Sequence, residues 1–139
     1  MSGSLMFLRY AYPCAESQLA KKLIDPKEYA LLKRWAIQSK VPPMIEILEK
    51  AFPEAVFRLS ELAKETNRHI WSLENVLDFW RNHHNYKDGN CNVRLCRVKK
   101  IEGLVVTMTD NSITSNIYNV NVIVGRSVFV HKNIIIEVI

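Results

Sequence analysis

The feature that most constrains this chain is a change of hydrophobic period near its middle. Up to about residue 82 the apolar residues recur at helical spacing, whereas beyond residue 90 Val, Ile and Thr alternate with polar residues at a period of two. Between them, Asn82-His83-His84-Asn85-Tyr86-Lys87-Asp88-Gly89-Asn90 is polar and turn-forming. A single layer cannot satisfy both periods. The pattern therefore predicts an α+β chain: a helical domain over residues 1–88, built as a bundle of short helices, and a β domain over residues 89–139.

The helix starts are legible. Asp25, Pro26 and Glu28 supply an N-cap, a proline at the first helical position and an acidic group at the third, ahead of an apolar face of Tyr29, Leu32, Trp35 and Ala36. Pro42 and Pro43 stop that helix and open a short one through Ile45, Ile47 and Leu48. Pro53 then starts a segment carrying Val56, Leu59, Leu62 and Ala63. A last helix holds Leu73, Val76, Leu77 and Trp80, with Ser72 or Asn67 as its cap and Arg81, His83 and His84 at its electronegative end. Four or five short helices are expected, with Trp35, Trp71 and Trp80 mostly in the core. Met1 to Ser4 is given no structural weight.

In the second half, strands are expected at Val93–Ile101, Leu104–Thr109, Ile113–Val124, Ser127–His131 and Ile134–Ile139, separated by Glu102-Gly103, Asp110-Asn111, Gly125-Arg126 and Lys132-Asn133. Five strands in about fifty residues suit a small OB-like β-barrel, where closure removes the sheet edges.

Composition narrows the function classes. The chain has 139 residues, 48% of them hydrophobic, and only four Gly and five Pro, which excludes disordered and collagen-like classes. No apolar run approaches the eighteen residues of a membrane span, so no membrane partner is expected. Three cysteines, Cys14, Cys91 and Cys96, form an odd set in a chain long enough to bury a core, which points to a reducing, cytoplasmic setting. The net charge of +5 permits an acidic partner without demanding one.

No motif for catalysis is present: there is no phosphate loop, Gly-x-Ser-x-Gly or His-Glu-x-x-His, and the chain reads as a non-enzyme. Cys91 and Cys96 are five apart in a strand and point to opposite faces, and they lack the two-to-four spacing of zinc cysteines. Cys96 reads as a small buried hydrophobe and Cys14 as packing. Adjacent His83 and His84 diverge on a helix and cannot chelate together. The plain reading of His131 is a partly exposed turn histidine.

Two blocks carry a family resemblance. Cys91-Asn-Val-Arg-Leu-Cys-Arg-Val-Lys-Lys-Ile-Glu-Gly103 is similar to the pattern Cys-Leu-Ala-x-Pro-Gly-x-Val-x-x-Ile-x-Gly, matching at Cys91, Val98, Ile101 and Gly103. Val124-Gly-Arg-Ser-Val-Phe-Val-His131 resembles Val-Gly-Asp-x-Val-Leu-Val-His. Both patterns belong to the HypC/HupF hydrogenase maturation chaperones, which are small β-barrels. Together with Phe7-Leu-Arg-Tyr-Ala-Tyr-Pro13, the first block also looks like a family that joins a helical region to such a barrel, with no reaction attached to it.

The chaperone resemblance implies a protein-binding accessory factor linked to hydrogenase or metalloenzyme maturation. Cys91 and His131 would border its partner- or metal-binding site, and Cys96, Arg94, Arg97 and Lys99 would be weaker candidates. It implies no resident cofactor, only iron handled in passing, and leaves the metal unknown. Another protein is the expected partner. The alternatives are a barrel that binds single-stranded nucleic acid and a structural subunit. For the nucleic-acid reading, Arg94, Arg97, Lys99, Lys100 and Arg126 would supply charge and Tyr118 and Phe129 stacking faces. Strict alternation puts Arg97 and Lys99 on one face and Arg94 and Lys100 on the other.

Overall fold

A computed structural model of the chain describes residues 1–85 and 92–139. It divides into two compact units, Met1–Tyr86 and Lys87–Ile139, the first helical and the second built of strands. No helix among the described residues is long and apolar enough to cross a membrane.

The helical unit is organised around a segment whose sequence pattern announces little. Helix α1 (Gly3–Ala11) is buried along its whole length, and the Ser2 hydroxyl caps it by accepting from the Leu5 N–H at 3.1 Å. Ser2, Gly3 and Ser4 thus belong to the fold, in contrast to the sequence expectation, while Met1 is exposed. The polar residues of α1, Ser4 and Arg9, are buried along with the apolar ones, and only the surrounding helices reveal that enclosure. Gly3 is required there by close approach, because a Cβ built on it would collide with the Trp71 carbonyl.

Phe7 of α1 forms the centre of an aromatic cluster. Its ring lies edge-on to Trp71 at 5.2 Å, Trp80 at 5.4 Å and Phe52 at 6.2 Å between centroids, while Tyr10, one turn on, stacks on Trp80 at 5.5 Å. Such pairs contribute about 0.5–1.5 kcal/mol each beyond their burial. Trp35 and Trp80 are core residues, and Trp71 is half-buried.

A 3₁₀ turn (Tyr12–Cys14) and the short α2 (Ala15–Ala20) follow α1. Helix α3 (Pro26–Ile37) starts in a capping box in which Asp25 and Glu28 exchange side-chain and backbone hydrogen bonds. Its Glu28 also accepts from the Lys50 ammonium at 2.8 Å, tying α3 to α4 (Ile45–Ala51). Helix α5 (Pro53–Thr66) ends at Asn67, whose left-handed backbone terminates it, so Asn67 closes this helix and Ser72 caps the next, α6 (Leu73–Asp78). A π-helical turn (Phe79–His83) extends α6. Asp78, at that junction, accepts from Arg68 and from the Asn82 amide, both at 2.8 Å, and these bonds hold its carboxyl below the ordinary aspartate range.

The strand unit contains β1 (Val93–Glu102), β2 (Val105–Met108), β3 (Ile113–Ser115), β4 (Ser127–His131) and β5 (Ile134–Val138). The sheet closes in a ring in the order β1-β2-β3-β5-β4. All neighbours are antiparallel except β3 and β5, which pair in parallel at Ser115 and Ile134. Cys96, Val98, Val106, Met108, Val128, Val130 and Ile135 fill the middle.

The turns follow their residues. Gly103-Leu104 forms a two-residue hairpin with Gly103 at φ +62°, the position where positive φ suits glycine. Thr109-Asp110-Asn111 is a three-residue loop closed by Asn111 N–H to Met108 carbonyl at 2.9 Å, with Asn111 left-handed. Lys132-Asn133 has positive φ at both residues, as a type I′ turn requires.

Two strand expectations need correction. The strand foreseen at Ile113–Val124 ends at Ser115, because the Asn116 side chain turns the chain: its amide donates to the Val120 carbonyl at 2.9 Å and its oxygen accepts from the Val120 N–H at 3.0 Å, with Asn119 left-handed. The second strand begins at Val105, since Leu104 is needed in the hairpin.

Replacing Gly3 by alanine is expected to destabilise the helical unit by about 1–3 kcal/mol, and Gly103→Ala by about 1 kcal/mol through backbone strain alone; urea unfolding of both variants checks the order. Because Asp78 has a lower pKa folded than unfolded, its stabilisation is complete above about pH 4 and fades as pH falls through the lowered value. The stability gap between wild type and Asp78→Asn should accordingly be wide at pH 6 and shrink toward pH 3 in urea titrations.

Candidate functional site

The sequence-derived candidates converge on β1 and its two neighbours. The first five residues of β1 pair with β4, setting Val93 opposite His131, Leu95 opposite Phe129, Cys96 opposite Val128 and Arg97 opposite Ser127. The remaining residues pair with β2, from Val98 opposite Met108 to Glu102 opposite Val105.

Cys91 lies outside the described residues. His131 is fully buried at the end of β4, which corrects the expectation of a partly exposed turn histidine. The reason is topological. Strand β4 sits between β1 and β5, so His131 is flanked by Val93 on one side and Ile134 on the other.

Cys96 belongs to the core of the ring, and burial pushes its thiol pKa up, an effect that Arg94 opposes and Asp110 reinforces. Arg94 reaches Asp110 at 3.5 Å, and the Asp110 carboxylate also accepts from the Ser112 hydroxyl and N–H. Arg97 is exposed on the outer face of β1. Lys99 occupies a bulge between Val98 and Lys100 and donates to the Asn111 side-chain oxygen at 3.0 Å.

That bulge overturns the alternation assumed from sequence. Val98 faces the core opposite Met108, yet Lys100 pairs with Thr107 and shares the outer face with Arg97, while Ile101 pairs with buried Val106 and remains exposed at the strand's end. Lys100 is held there by Glu102 at 2.8 Å. The extra residue changes the parity of every position after it, and nothing in the local sequence marks it.

Beside the first half of β1 lies a cleft of about 310 Å³. Cys96, Met108 and Leu95 give it apolar walls, and Arg97, Asp110 and Ser127 stand at its polar rim. Sequence reasoning singled out Cys96 and Arg97 separately; the packing of the Thr109–Asn111 loop against β1, through the Thr109 N–H to Arg97 carbonyl bond at 2.9 Å, brings them to one opening. Among the described residues, no group of three or more His, Cys, Asp or Glu side chains could hold a metal ion.

Of the two aromatic residues considered as stacking faces, Tyr118 is buried and Phe129 is half-buried. Tyr118 thus offers no face to a base.

No protein-family model, curated protein or solved structure matches this chain.

The raised thiol and the burial of Cys96 predict slow alkylation. With iodoacetamide at pH 8, Cys96 of the native protein should react at least about tenfold more slowly than half-buried Cys14, and urea should remove the difference; peptide mass spectrometry reads each site.

Proposed function

We propose that the chain is a protein-binding accessory factor of chaperone type, and that its strand unit is an OB-like barrel of the kind its Val124–His131 and Cys91–Gly103 blocks resemble. On that reading it serves the maturation of a metalloenzyme such as hydrogenase, with Cys91 and His131 at the working end.

The observation that carries the protein-binding part is an outward apolar row on the ring. Leu104, Val105 and Ile113 are 53%, 50% and 57% exposed. The register sets Val105 opposite Ser115 and Thr107 opposite Ile113, so Val105 and Ile113 are diagonal neighbours on one face, about 7–8 Å apart. Leu104 adjoins them at the hairpin. Single exposed apolar residues are ordinary, but a cluster on one face of a small ring is where a protein partner gains from excluding water. Single-stranded nucleic acid would instead require exposed aromatic platforms, and the burial of Tyr118 weighs against it.

Anaerobic co-purification from the source cells, using tagged full-length protein, tests the reading. Wild type should retain a discrete protein, Ile113→Asp should lose most of it, and Cys91→Ala should weaken its capture. Partners held equally by both variants, or material removed by nuclease, would overturn it. A partner set without any metalloenzyme or maturation factor would overturn the maturation assignment.

A further inference from the structure

The cleft beside β1 has a charge environment of its own. Its rim residue Arg97 is exposed, and among the described residues no carboxylate lies within ion-pair distance of it. The same holds for exposed Arg126. The two are held near each other by backbone bonds, since Val98 N–H donates to the Arg126 carbonyl at 3.0 Å and Gly125 N–H donates to the Val98 carbonyl at 2.9 Å. Lys99, next along β1, adds a third cation. The acidic member of the rim, Asp110, is already engaged by Arg94 and Ser112. An opening lined by Cys96 and Met108 and edged by Arg97, with Arg126 next in the chain to its lining residue Ser127, asks for an apolar group with negative charge beside it.

We infer that this cleft receives one large apolar side chain from an acidic segment of a partner protein, with carboxylates of that segment on Arg97 and Arg126. The floor is thiol and thioether rather than aromatic, which fits an aliphatic or phenyl anchor and gives a nucleobase nothing to stack on. The bidentate geometry of guanidinium with carboxylate supplies register and the apolar anchor supplies affinity. The inference deepens the protein-binding reading above and rests on it. It uses a different surface from Leu104, Val105 and Ile113, so the two fail separately.

Fluorescence anisotropy of the full-length protein tests it. The probes are a labelled peptide of about a dozen residues in which Leu is flanked by Asp and Glu, the same peptide with Asn and Gln in place of the acids, and an oligothymidylate of similar length. The acidic peptide should bind, and Arg97→Glu should weaken it at least about tenfold, while Arg97→Lys weakens it less. Ser127→Trp, which plugs the cleft without changing its charge, should weaken it comparably; circular dichroism confirms that each variant is folded.

Equal binding of the neutral peptide, no binding of the acidic one at millimolar concentration, full binding by Ser127→Trp, or tighter binding of oligothymidylate would each overturn the inference. If co-purification recovers a partner that Arg97→Glu retains in full, the cleft assignment falls while the protein-binding reading stands.

Discussion

The strand unit depends on β1 serving two partners. Its first half pairs with β4 and its second with β2, and the one-residue bulge between Val98 and Lys100 lies where the partner changes. A regular ten-residue strand would keep one face inward throughout and resist the bend that a small closed sheet demands. With the bulge in place, Cys96 and Val98 fill the ring before it and Ile101 pairs with buried Val106 after it, while Arg97, Lys99 and Lys100 all reach the outside. The inserted residue thus puts Lys100 on the face of Arg97.

Closure also sets the chemistry of the residues that look functional. Between two neighbours, β4 buries His131 completely, and the interior raises the Cys96 thiol. These are conditions for packing more than for exchange with solvent. Exposed apolar and cationic side chains lie elsewhere on the ring, at the β2–β3 outer face and beside Arg97. In the helical unit the corresponding organiser is α1, whose Phe7 and Tyr10 rings gather Phe52, Trp71 and Trp80 from distant stretches of the chain.

Where a structural choice is made by neighbours in the chain, the residues announce it. The Asp25–Glu28 capping box, the Ser72 cap, and the turns at Asn111 and Asn133 are decided by short-range hydrogen bonds or by which residues tolerate positive φ. Asn133 illustrates this: φ of 64° is within reach of asparagine, so the turn needs no glycine there. The Asn116 turn was encoded just as locally, in a side chain that exchanges bonds with Val120, but the run of Val and Ile after it reads more strongly as strand.

Read alone, then, the sequence determined that helices precede strands, where most helices start, and that five strands must share about fifty residues, because periodicity, caps and turn residues act over a few positions. Only the tertiary structure decided that residues 3–11 are the most enclosed helix, that Gly3 answers to the Trp71 carbonyl, that Lys100 lies on the face of Arg97, and that Cys96 floors a cleft. Each of those depends on atoms far apart in the chain, or on a parity change that leaves no local trace.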